Sequence, residues 1–198
     1  MARLLDAALP NGIAFVRPGS DNLLVADSFK GLIWNVNIVD GTVGVTLNDS
    51  STKGVEGNGP SFTGINGLKV FRGTLYWTNT GLNTIYKVPI DAFGNVVMGQ
   101  TPTLLAFNLS CDDFTVDGNE NLYVASPQDM LIKINGKGEQ EVLAGTRGLN
   151  TSALVGPTAV RFGRLASDRW SLYVTTNGGL QAPVLGSTGI SRVDLKQG

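Results

Sequence analysis

Leu122-Tyr123-Val124-Ala125 is a short β-prone run that occurs in related form three more times. It returns as Leu23-Leu24-Val25-Ala26, Leu75-Tyr76-Trp77-Thr78 and Leu172-Tyr173-Val174-Thr175, so first residues are separated by 52, 47 and 50 positions. Ahead of each run lies another short strand pattern: Gly12-Ile13-Ala14-Phe15, Gly67-Leu68-Lys69-Val70, Phe114-Thr115-Val116-Asp117 and Thr158 to Phe162. Behind each lies a third, at Leu32 to Val36, Thr84 to Val88, Leu131 to Ile134 and Ile190 to Val193. Three units add a fourth apolar segment, at Val43 to Leu47, Leu104 to Phe107 and Glu141 to Ala144. Pro18-Gly19, Asp40-Gly41, Arg72-Gly73 and Asp117-Gly118 supply turn residues between them.

Four short strands repeated about every 50 residues match the blade of an all-β propeller. A β-sandwich also uses short strands, but it does not predict one strand order repeated four times. The blades are expected over residues 11–50, 64–108, 111–147 and 155–198, within a single propeller domain, or a fragment of one, spanning 1–198. The fourth unit lacks a clear fourth strand. Either Met1 to Pro10 lends one and four blades close, or the chain is part of a six-bladed ring with exposed blade edges and a tendency to self-associate.

Composition supports short strands and tight turns, with 26 glycines and 16% charged residues. A net charge of -1 without basic runs excludes a nucleic-acid surface. The absence of histidine excludes Ser-His-Asp and Cys-His pairs and histidine metal sites. The lone Cys111 excludes an intramolecular disulfide and a cysteine-clustered zinc site. No apolar stretch has the length of a signal peptide core or a membrane span, so a cytoplasmic, membrane-free protein is expected. The N-x-S sequons at Asn48, Asn108 and Asn150 are then chance occurrences.

Asn11, Asn66 and Asp112 stand at the head of the innermost strand in successive blades, 55 and 46 positions apart. All three are expected toward one end of a central channel. A carboxylate with amide carbonyls and water suits calcium or magnesium, and such an ion polarises a lactone carbonyl. Asn and Asp are equally at home capping a strand in a turn. Asp113 is the alternative channel carboxylate, because a one-residue register change reverses the face. Asp27, Asn79, Ser126 and Thr176 end the second strand of each blade and line polar surface or face solvent; Asn79 is kept as a weak substrate contact.

Leu9-Pro10-Asn11-Gly12-Ile13-Ala14-Phe15 with Leu24-Val25-Ala26-Asp27-Ser28 resembles the gluconolactonase and regucalcin-like six-bladed propellers. The resemblance continues through Gly64 to Val70, Leu75 to Thr80, Asp112-Asp113-Phe114, Gly156 to Val160 and Phe162-Gly163-Arg164. It implies a divalent metal at Asn11, Asn66 and Asp112, together with a first-blade glutamate that this chain lacks. By the same comparison the chain is short by about two N-terminal blades. The paired aspartates and Phe-Gly-Arg are similar to a branch placed near secondary-metabolite genes, some of whose members are hetero-Diels-Alderases. Where the sugar lactonases carry arginine at the channel mouth, this sequence has Leu9, which implies a hydrophobic or polyketide-like small-molecule substrate. Three classes follow: a metal-assisted lactone or ester hydrolase, a cyclase that shapes a cycloaddition, and a non-catalytic platform.

Overall fold

The computed structural model describes residues 2–55, 63–147, 154–179 and 187–195. The chain divides into two compact units, 1–108 and 109–198. The first unit holds β1 (Pro10–Phe15), β2 (Asn22–Asp27), β3 (Leu32–Asn37), β4 (Val43–Leu47), β5 (Ile65–Phe71), β6 (Thr74–Asn79), β7 (Thr84–Pro89) and β8 (Thr103–Phe107). The second holds β9 (Phe114–Val116), β10 (Leu122–Ser126), β11 (Met130–Ile134), β12 (Gln140–Gly145), β13 (Pro157–Phe162), β14 (Ser171–Asn177) and β15 (Thr188–Asp194). A 3-10 turn at Ser50–Thr52 is the one helical element among the described residues, and no helix there could cross a membrane.

Each sheet is an antiparallel meander in chain order, the blade topology expected from the repeat. Three sheets have four strands and the last has three, β13-β14-β15, among the described residues. Residues 2–9 form no strand; Ala2, Leu4 and Ala7 pack on Val25, Trp34 and Val36 of the first sheet. Their apolar side chains are thus engaged within the first unit, and among the described residues no strand from 2–9 joins β13-β14-β15.

Strand periodicity sorts the side chains. On β3, Leu32, Trp34 and Val36 face one way, while Ile33 joins Leu24 and Ala26 of β2 on the other. That second face packs on Ile65, Leu68, Leu75 and Trp77 of the next blade, forming the core of the first unit. Trp77 is fully buried, stacks on Tyr86 at 5.7 Å and donates its indole N–H to Ser51 O at 3.2 Å. In the second unit, Ala125, Leu131, Val160, Leu172 and Val174 form the corresponding core.

Turn chemistry follows the sequence in most places. Arg72 (φ 49°) and Gly73 (φ 74°) are both left-handed, as a two-residue turn matching strand twist requires. At Asp117-Gly118 the left-handed residue is instead Glu120, at φ 65°. Asp117 accounts for this: its carboxylate accepts the N–H groups of Asn119 and Asn121, so the loop closes around an aspartate rather than on a glycine.

Candidate functional site

Asn11 and Asn66 occupy the same irregularity in consecutive blades. Pairing of β1 with β2 runs from Pro10↔Asp27 to Ile13↔Val25, so Asn11 and Gly12 together stand opposite Ala26. Pairing of β5 with β6 runs from Ile65↔Asn79 to Leu68↔Trp77, so Asn66 and Gly67 stand opposite Thr78. Each is a β-bulge, a device that turns a side chain away from the regular pleat. Thr78 holds the second bulge by accepting the Gly67 N–H at 2.9 Å.

Glycine is required in the first bulge by close approach. A Cβ on Gly12 would lie 2.5 Å from Asn66 O and 2.8 Å from Leu68 N. The two bulges are therefore backbone neighbours, and the structure brings Asn11 and Asn66 together.

Both amides are anchored alike. Asn11 Nδ2 donates to Ser28 Oγ (3.2 Å) and Asn66 Nδ2 to Thr80 Oγ1 (2.9 Å). The anchors are themselves linked, because Gly64 N donates to Ser28 O (2.8 Å) and Thr80 N to Gly64 O (3.1 Å). Asn11 is exposed. Asn66 is 8% exposed, and its Oδ1 is buried with no hydrogen-bond partner among the described residues. Leaving such an oxygen unsatisfied costs about 1–3 kcal/mol, so a donor is the expected complement. Ser28 and Thr80 were not singled out as anchors from sequence; the signal is a hydroxyl residue directly after the second strand of a blade that opens with Asn-Gly.

Asp27 and Asn79, the residues just before these anchors, are scaffold. Asp27 is solvent-inaccessible and accepts from Ala8 N (2.9 Å), Leu9 N (3.0 Å), Lys30 N (3.1 Å) and Trp34 Nε1 (3.2 Å). Burial opposes its ionisation, but the bonds from Leu9, Ala8, Lys30 and Trp34 prevail and hold its carboxyl below the usual range. Asn79 is equally buried and clamps Ser51 O, Lys53 O and the Leu82 N–H. The side chain is enclosed and fastens the segment entering its blade. Leu9 is half-buried, and its carbonyl accepts Ser28 N at 2.9 Å, so it sits beside the Asn11 anchor.

The second unit carries different chemistry at the strand heads. Asp112 is half-buried and donates its N–H to Ala125 O at 2.9 Å. Asp113 Oδ2 pairs with Arg161 Nη2 at 2.8 Å, and Arg161 Nη1 also reaches Phe114 O at 3.0 Å. A guanidinium on that carboxylate offsets its charge and competes with a cation for it. In β13, Thr158 is the bulged residue and its hydroxyl meets Thr175 Oγ1 at 2.9 Å.

Calcium takes 6–8 oxygen ligands at about 2.3–2.6 Å, with carboxylates prominent. The first unit offers two neutral amide oxygens, and its neighbouring carboxylate, Asp27, is fully engaged. Among the described residues no group of three or more His, Cys, Asp and Glu is placed to hold an ion. The donor set of neither unit taken by itself fits the metal expected from sequence.

No family model matches the chain. It is 29% identical over 194 residues to a putative hetero-Diels-Alderase of a Phoma species, covering 89% of this chain and 55% of that protein. It is 27% identical over 156 residues to a second protein of that name from Sarocladium schorii, covering 73% of this chain and 39% of the other. The chain thus spans about half the length, or less, of the curated relatives it matches. Among solved structures it resembles a calcium-binding protein, regucalcin, from Agrobacterium tumefaciens, with TM-score 0.59, 18% identity, and coverage of 86% and 54% of the two chains. It also resembles a putative gluconolactonase, with TM-score 0.59, 15% identity, and coverage of 87% and 57%. The chain is therefore a sequence relative of proteins named putative hetero-Diels-Alderases, with the β-propeller fold of regucalcin- and gluconolactonase-type proteins.

Proposed function

We propose that the chain is part of a small-molecule enzyme that binds an unsaturated organic intermediate and guides its hetero-Diels-Alder cyclisation. The observation that carries this reading is the similarity to two proteins of that name, one of them over 89% of the chain. In such a step an oxygen-containing heterodiene and an alkene exchange two π bonds for one C–O and one C–C bond, and the remaining π bond moves between them. No group leaves and no proton is consumed. The catalyst acts by holding the two partners in a near-attack arrangement, worth up to about 7–11 kcal/mol in favourable cases.

Neutral amides suit that task. Asn66 Oδ1, lacking a donor, takes a hydroxyl or N–H of the intermediate, while Asn11 offers a second, exposed contact. Leu9 and the exposed Ile13 and Phe15 of β1 supply apolar surface of the kind a hydrophobic, polyketide-like intermediate would use. The second reading is metal-assisted lactone or ester hydrolysis. It is favoured by the same unsatisfied Asn66 oxygen and by fold likeness to regucalcin and a putative gluconolactonase.

The assay incubates the chain with heterodiene–alkene substrates and, separately, with lactones, each with and without chelator. A stereoselective cycloadduct that survives chelation and falls about tenfold or more in Asn66→Ala is expected. Lactone turnover abolished by chelator, without cycloadduct, would establish the second reading. Absence of both activities would overturn both.

A further inference from the structure

The second unit contains a cleft of about 740 Å³ that the strand-head residues do not touch. It lies at the opposite rim of these blades, where β9 ends and β10 begins. That volume is in the range of small-molecule sites.

One wall is a cross-strand row. Tyr123 pairs with Lys133, and Lys133 with Glu141, so β10, β11 and β12 present three side chains on one face. The other wall carries Arg169 and Trp170, with Val193 and Leu195 beneath. Tyr123 is held rigidly: its hydroxyl donates to Asp117 Oδ2 at 3.1 Å, and its ring meets Phe162 edge-on at 5.2 Å. Burial first, and the neighbouring Asp117 second, raise its phenol well above the usual range, so it stays a neutral part of the wall.

The charges divide into engaged and unengaged. Asp117 accepts four hydrogen bonds, from Asn119 N, Asn121 N, Asn121 Nδ2 and Tyr123. Asp194 is held by Ser171 Oγ and Arg192 Nε, at 2.6 and 2.7 Å. By contrast, the side chains of Lys133 and Glu141 make no hydrogen bond or ion pair with a described residue. Among the described residues the Arg169 side chain has only its contact with the Trp170 ring, at 5.6 Å. Trp170 is 49% exposed, whereas Trp34 and Trp77 are buried. Lys133 and Arg169 thus both line the cleft beside an accessible aromatic ring, with Glu141 next to Lys133 on the ladder.

We propose that this cleft binds a small phenolic carboxylate. Its carboxylate lies between Lys133 and Arg169 as a charge-assisted contact, its ring lies against Trp170, and Glu141 accepts the phenolic O–H. The site is independent of the cyclisation assigned to the strand heads, and either can fail alone.

The probe is 4-hydroxybenzoate, with 4-hydroxybenzamide as its uncharged counterpart. Trp170 reports binding by fluorescence because the other two tryptophans are buried. A saturable change with 4-hydroxybenzoate is expected, about tenfold weaker or worse for the benzamide and in Lys133→Gln. Lys133→Arg should retain binding, and calorimetry with Arg169→Gln should show a comparable loss. Should Lys133→Gln shift the urea midpoint, the Arg169→Gln measurement decides. No saturable response up to about 10 mM, or equal binding of acid and amide, would overturn the proposal.

Discussion

The heads of the innermost strands differ between the two units although the backbone device beneath them recurs. In the first unit, Asn11 and Asn66 ride on two-against-one bulges, and each amide is tied to a hydroxyl by its nitrogen. In the second, the register breaks again in β13, yet the side chains there are a threonine pair and an Asp113–Arg161 ion pair. Three of the four blades therefore turn a side chain out of the pleat at the same place, with different chemistry in each unit. Neutral amides in one unit and an internally compensated Asp113 in the other accord with there being no cluster of three or more His, Cys, Asp and Glu placed to hold an ion among the described residues.

The largest test of this contrast is the clamp below the amides. Asp27→Ala leaves the buried Trp34 indole N–H and the part-buried backbone N–H groups of Ala8, Leu9 and Lys30 without their acceptor and should cost about 3 kcal/mol or more in urea unfolding. A loss under about 1 kcal/mol would mean the clamp does not hold residues 2–9 in place. The same carboxylate sets an acid limit. Its folded pKa lies below the unfolded one, so its stabilisation is complete above the ordinary carboxylate range and fades as pH falls through the folded value. Asp27→Asn should flatten that acid-side slope in a pH series of melts.

Next in size is the contact between the bulges. Gly12→Ala places a methyl group against Asn66 O and Leu68 N, both backbone atoms with little room to move, and should cost about 2 kcal/mol. Gly44→Ala, where a Cβ meets nothing within 4 Å, is the control and should be nearly silent. Equal effects from the two would break the claim that Asn11 and Asn66 are held by backbone contact. If the amides act on a ligand, Gly12→Ala should also weaken the cyclisation more than its stability loss explains.

The strand order was legible because period-two alternation and turn residues are local signals that recur: Leu75 to Thr78 and Leu122 to Ala125 both read directly as second strands. The candidate site was legible only as positions. Asn11 and Asn66 were found by place in the repeat, but the bulges that orient them arise from pairing with Ala26 and Thr78, which no local signal announces. The environment of Asn79 was not legible, because an amide at a strand end looks alike whether it faces solvent or clamps Ser51 and Lys53 from a distance. The pairing of Asp113 was hidden for the same reason, its partner Arg161 lying 48 positions away.

The smallest effects concern two arginine–aspartate pairs among the described residues of the second unit, which sequence alone would treat as equals. Arg161 is half-exposed, but Asp113 is 17% exposed, and the guanidinium also bonds the Phe114 carbonyl. Removing it takes the guanidinium from a mostly buried carboxylate, so Arg161→Met should cost about 1 kcal/mol after allowance for solvent screening, less so in high salt. Arg192 and Asp194 are 50% and 66% exposed, and their bond spans two residues of one strand end. There the ions exchange one polar environment for another, so Arg192→Met should leave the urea midpoint unchanged at any ionic strength. Measuring both variants at low and high salt separates them: a salt-dependent loss in the first and none in the second confirms that Asp113 is internally compensated. Indistinguishable behaviour would return Asp113 to the pool of carboxylates available to a ligand and weaken the contrast between the units.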